Sequence, residues 1–196
     1  MSYLSPAEFV TKMVDTGEAK IHMSTRDTLI RAFMAGAILA LAAVFAVSAS
    51  VMSGSALIGA LLFPVGVCML YLLGFDLLTG VFMLTPLAWL DKRPGASIRG
   101  ILRNWALVFA GNFLGALTVA GMMAFIFTYG FSVPPNEIGQ KIGHIGEART
   151  LGYAQYGLMG WVTIFLRGVL CNWMVSTGVV GAMISTTVSG KVIAMW

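Results

Sequence analysis

Apolar residues come in long runs along this chain, and the short polar breaks between them set the elements. The first run fits a membrane-spanning helix over about 29–50. It ends at Ser48 to Ser55, a break of small, uncharged residues. The next apolar stretch runs from Ala56 to about Leu90. As one straight helix at ~1.5 Å per residue it would reach roughly 52 Å, against a hydrocarbon core of ~30 Å. A broken helix over 56–90 fits better. A third span fits about 100–129, with Arg103 at its start and no charge from Asn104 through Gly130. A polar loop follows from Phe131 to Thr150 and contains Pro134-Pro135-Asn136. The fourth span fits about 153–186, and residues 190–196, with Lys191 ahead of Val192 to Trp196, open a fifth.

The segment before the first span has a different pattern. Ser5-Pro6-Ala7-Glu8 has the form of a capping box with proline at the first helical position. Phe9, Val10, Met13 and Val14 then make one apolar face, and Gly17 is a plausible stop. The pattern predicts an amphipathic helix over 5–20, lying on the membrane interface or packed on a neighbouring subunit.

Composition agrees with a membrane protein. Apolar residues make up 58% of the 196 positions and charged residues 10%, whereas soluble domains carry about 25% charged residues. Disorder and a secreted disulfide scaffold are excluded. Cys68 and Cys171 both lie in apolar runs and are expected as buried thiols. The formal net charge of +4 is too small and too scattered to indicate a nucleic-acid partner. The lipid bilayer is the partner that the composition implies.

Charge placement gives an orientation. Lys12, Lys20, Arg26 and Arg31 precede or enter the first span. Lys92, Arg93, Arg99 and Arg103 lie between the second and third, and the loop after the first span carries no charge. By the positive-inside rule the N-terminus and the 91–99 turn face the cytoplasm.

The break in the second span is the most informative stretch. Gly74 and Gly80 bracket Asp76 and Thr79 in otherwise apolar text. Glycine permits backbone angles that a helix refuses. Irregular backbone at membrane depth is tolerated only against protein or a water-filled cavity. A half-helix starting there would aim its amides and positive dipole end at the bilayer middle, an arrangement suited to an anion. Asp76 could instead cap that half-helix or staple the loop, and its burial demands a partner. Thr79 could gate a pore or simply bond back to its own helix. Arg167, deep in the fourth span, needs pairing or a subunit contact, and Asn172 needs a polar partner or a cavity. Gly111-Asn112-Phe113-Leu114-Gly115 is a GxxxG motif for helix packing. His22 and His144 both fall outside the spans. No metal-ligating cluster, cofactor motif or nucleophile–base pair is visible within a span, so a conduit is expected rather than an enzyme.

These residues carry a resemblance to the formate/nitrite transporter family. Four segments match it in order. They are the helix from Ser5 to Ile21, then Phe63 through Gly80, then Arg103-Asn104-Trp105 followed by Gly111 to Ala116, and finally Arg167 through Val175. Within the second, Gly74-Phe75-Asp76-Leu77-Leu78-Thr79-Gly80 resembles the family's Gly-x-Asp/Glu-Leu-Phe-Thr loop.

The resemblance implies an all-α integral membrane protein with an aquaporin-like fold and a broken second span, of which this chain holds four spans and the start of a fifth. It implies a homopentamer with one pore per protomer, in a bacterial inner membrane. It implies passage of small monovalent anions, most of all formate, then nitrite, with proton coupling or hydrosulfide as variants, and no cofactor. By position, Phe63 and Val67 belong to one apolar constriction, Leu78 and Thr79 to the mobile loop beside it. Asn172 is the pore-facing polar residue of the fourth span, with Val175 near the other constriction. Gly74, Asp76 and Gly80 form the structural part of the loop.

The chain departs from the family pattern in three places. Leu78 stands where the family usually has Phe, and Tyr156 stands where it usually has a lysine, with Arg149 seven residues earlier. The second broken helix, with its Gly-Phe-Glu-His-Ser motif, is not within these residues. The expectation from the resemblance is therefore that residues 1–196 alone lack half of the pore lining and do not form a working pore; the alternative to an anion channel is a non-conducting membrane fragment that acts only as an assembly module.

Overall fold

The computed structural model describes residues 3–196, and those residues form nine α-helices and one 3-10 turn. Helix α1 runs Pro6–His22 and α2 runs Thr25–Ser53. The second apolar stretch divides into α3 (Ala56–Leu62), α4 (Pro64–Leu72) and α5 (Leu78–Leu90). Then come α6 (Ile98–Phe127), α7 (Glu137–Arg149), a 3-10 turn (Leu151–Tyr156), α8 (Gly157–Ile184) and α9 (Val188–Met195). Three stretches are long and apolar enough to cross a membrane: Thr25–Ser53, Ile98–Phe127 and Glu137–Ile184.

The expected break in the second span is present, with a second interruption before it. Phe63 keeps helical angles, but Pro64 has no amide to continue the ladder, so α3 and α4 meet at a joint. The polar stretch 131–150, expected as a loop, contains α7. Asn136 caps it, its side chain accepting from the Gly139 amide at 2.9 Å.

Helices α2 and α6 form the backbone-to-backbone spine. A Cβ on Gly36 would overlap the Asn112 backbone, and one on Gly115 would overlap the Phe33 carbonyl oxygen. A Cβ on Gly111 would come within 2.5 Å of the Ala32 Cβ. The GxxxG motif is thus spent on close approach of these two helices. Ala32, Val81 and Val108 join α2, α5 and α6 in one buried cluster, packed against Leu78 and Trp105.

Helix α1 does not end at Gly17. A Cβ there would overlap the Leu84 carbonyl oxygen, so the glycine is a contact point against α5 rather than a stop. Val14 and Ile21 are buried on the same face, Ile21 with Ala88 and Ile101 of α5 and α6. The Val14, Gly17 and Ile21 stripe of α1 is therefore covered by its own chain, while Val10 remains exposed. Arg93, in the turn after α5, binds Asp15 at 2.8 Å and Asp91 at 2.9 Å and lies 3.8 Å from Glu18. These contacts hold α1 beside that turn. At the other end the Lys12 ammonium donates to the Met183 carbonyl at 3.0 Å and the Leu4 amide to the Ile184 carbonyl at 2.9 Å. Both serve carbonyls at the end of α8 that have no partner within the helix.

Candidate functional site

The site is built at the gap between α4 and α5. Helix α4 closes with a Schellman motif: Gly74 takes φ +72, its amide bonds to Tyr71 and the Phe75 amide bonds to Leu70. The chain then crosses Phe75, Asp76 and Leu77 in extended form before α5 starts at Leu78. Lipid cannot serve the backbone of such a loop at membrane depth, so protein groups or water in a cavity must.

Asn112 does most of this. Its side-chain amide donates to the Asp76 carbonyl at 2.8 Å and to the Ala32 carbonyl at 2.8 Å. Its side-chain oxygen accepts from the Leu78 amide at 2.9 Å. The close approach of α2 and α6 at Gly111 and Gly115 lets so short a side chain reach both partners. The Asp76 amide bonds to the Arg31 carbonyl at 3.4 Å, and the Arg31 guanidinium donates to the Gly74 carbonyl at 3.3 Å.

The Asp76 carboxylate is 2% exposed. Its partner is Lys20 of α1, which forms a salt bridge to Oδ1. This salt bridge ties the loop to α1, which supplies the charge that makes the burial of Asp76 tolerable. Among the described residues, Oδ2 is buried without a partner.

At the first turn of α5 the donors are unevenly satisfied. Asn112 takes the Leu78 amide, and the Gly80 and Val81 amides bond to the Leu77 carbonyl at 3.0 and 3.2 Å. Thr79 is left over, and among the described residues its buried hydroxyl has no hydrogen-bond partner.

Thr79 lines a cavity of about 230 Å³ enclosed by α1, α4, α5, α8 and α9. Six residues singled out in the sequence meet there: Val67, Gly74, Asp76, Thr79, Gly80 and Val175. The cavity also holds the ammonium-bearing Lys12 and Lys20, and Tyr71.

Three expected site residues lie elsewhere. Phe63 sits at the α3–α4 joint, 37% exposed. Leu78 packs on the Ala32–Val81–Val108 cluster rather than lining the cavity. Asn172 is half-buried and donates to the Gly168 carbonyl of its own helix at 2.8 Å. Arg167 finds a partner in Tyr153, bonding to its hydroxyl with the guanidinium carbon 5.5 Å from the ring centre. Lys20, Asn112 and Tyr71 were not singled out as site residues. The one signal in the sequence was that a buried Asp76 requires a cation.

Comparison with known proteins bears on what this site is. A family model described as formate/nitrite transporter matches residues 7–196. A probable formate transporter of Methanothermobacter thermautotrophicus is 30% identical over 213 residues, covering 100% of this chain and 75% of the relative. The uncharacterized transporter YrhG of Bacillus subtilis is 28% identical, covering 100% of this chain and 71% of that protein. The formate channel FocA of Haemophilus influenzae is 30% identical over 201 residues, covering 98% of this chain and 66% of the channel. The chain belongs to the formate/nitrite transporter family.

Proposed function

We propose that this protein conducts small monovalent anions across a bacterial inner membrane, formate first and nitrite second, with its N-terminus in the cytoplasm and as a homopentamer. The observation that carries this reading is Thr79: on the first turn of a half-helix, it lines a cavity bordered by apolar side chains, and among the described residues its buried hydroxyl has no hydrogen-bond partner, so a rotation about χ1 would free it for a ligand in the cavity. The N-terminal end of α5 adds the positive end of a helix dipole. An anion entering such a space loses water, and its charge becomes costly unless donors replace the hydration. Thr79 supplies one such donor. Lys12 and Lys20 outnumber Asp76 on the cavity wall, so the local field favours an anion over a cation. Desolvation also raises the pKa of a weak acid, so a proton taken up in the cavity would ease passage of formate.

Names of the relatives support the substrate class: a probable formate transporter, a formate channel, and a formate-nitrite transporter of Toxoplasma gondii that is 30% identical. The experiment is anion uptake into proteoliposomes holding the full-length protein, with formate, nitrite and hydrosulfide compared. The expected order is formate, then nitrite. A preference for hydrosulfide would replace the substrate while keeping the conduit. Indifference to all three would refute the reading.

A further inference from the structure

One polar group on the cavity wall has no part in the reading above. Tyr71 lies on α4, four residues beyond Val67, so the two stand one above the other on the same helix face and line the same cavity. Its ring packs on the buried cluster of Leu84, Val179 and Met183. Among the described residues its hydroxyl makes no hydrogen bond; the ring is held while the donor is left free. Around it the wall is apolar, with Leu70, Val175 and Met195. The two ammonium groups are already committed, Lys20 to Asp76 and Lys12 to the Met183 carbonyl. Thr79 and Tyr71 therefore place one uncommitted hydroxyl on each half of the broken span, α5 and α4.

A phenolic hydroxyl is a neutral donor, and hydrogen bonds to an ionised acceptor are the strong ones. An oxyanion with two oxygens offers a strong acceptor to each donor on the wall. Hydrosulfide has a single sulfur, which is a weaker acceptor.

We propose that Tyr71 is a specificity-determining hydrogen-bond donor in the permeation cavity, selecting small oxyanions such as formate over hydrosulfide. This rests on the anion-conduit reading. The test is Tyr71→Phe in the full-length protein, with formate and hydrosulfide flux measured in the same proteoliposome preparation. Phenylalanine keeps the ring against Leu84, Val179 and Met183. The formate-to-hydrosulfide flux ratio is expected to fall about tenfold, the loss of one hydrogen bond to a charged group, with hydrosulfide flux changed less than about twofold. The half-saturating formate concentration rises with it. An unchanged ratio overturns the assignment, and so does an equal loss of both fluxes, which would mark a packing role. A wild-type protein that passes neither anion refutes the conduit reading itself, and is distinguished from failure of Tyr71 because it needs no variant.

Discussion

Replacing Asn112 by alanine should loosen the broken-helix loop more than it unfolds the protein. The side chain makes three hydrogen bonds, at 2.8, 2.8 and 2.9 Å, to the Ala32 carbonyl, the Asp76 carbonyl and the Leu78 amide. The Ala32 carbonyl lies inside α2 and keeps its helical partner, so its loss is minor. The other two groups belong to a loop that lipid cannot serve, and each buried group left unsatisfied costs about 1–3 kcal/mol. The expected destabilisation is therefore about 2–6 kcal/mol, concentrated at residues 74–80. Hydrogen exchange read by mass spectrometry should show faster exchange in peptides covering Gly74 to Gly80, with the centres of α2 and α6 little changed. Asn112→Asp keeps the acceptor for the Leu78 amide but sets a carboxylate oxygen against the Ala32 and Asp76 carbonyls, so it should be at least as disruptive as alanine. Unchanged exchange at 74–80 in Asn112→Ala would refute the claim that this one side chain organises the break.

Further predictions concern the helix that braces the loop. Lys20→Met alone leaves Asp76 buried and unpaired, which should cost about 3–5 kcal/mol in thermal or denaturant unfolding, and adding Asp76→Leu should recover most of it. Gly17→Val forces a side chain into the Leu84 carbonyl oxygen. It should cost about 1–3 kcal/mol and speed tryptic cleavage at Lys12. Glu8 accepts from the Ser5 hydroxyl at 2.6 Å and the Ser5 amide at 2.8 Å, and these bonds hold its carboxyl below the usual glutamate value. A depressed folded value means that this stabilisation is full above the unfolded pKa and is lost as pH falls through the folded one. Fraying at the start of α1, followed by hydrogen exchange, should therefore set in only at acid pH, and Glu8→Gln should flatten that dependence.

The site was legible where local chemistry decides the backbone. Glycine is favoured at position 74 because the chain turns there at φ +72, and the bracket of Gly74, Asp76 and Gly80 marked the break without any structure. Partners distant in sequence were not legible. Lys20 stands 56 residues from Asp76 and Asn112 stands 34 from Leu78, and no periodicity links them. Asn112 was also hidden inside a glycine motif whose packing role accounted for it. Helix α7 was missed because Gly139, Gly143 and Gly146 each lower helix propensity by about 1 kcal/mol. Its capping Asn136 and the helical spacing of Ile138, Ile142 and Ile145 outweigh that. Leu78, placed in the gating loop by resemblance, is half-buried against the Ala32–Val81–Val108 cluster, because the first turn of α5 faces α2 and α6 on that side.

The central claim is that the unpartnered Thr79 at the break faces the conduction path. Formate flux through the full-length protein in proteoliposomes, compared for wild type, Thr79→Ser and Thr79→Val, tests it most directly. Serine keeps the hydroxyl and should retain most of the flux. Valine keeps the shape without the donor and should reduce formate flux about tenfold, with thermal stability maintained because the native hydroxyl has no partner to lose. A valine variant that conducts formate as well as the wild type would contradict the account.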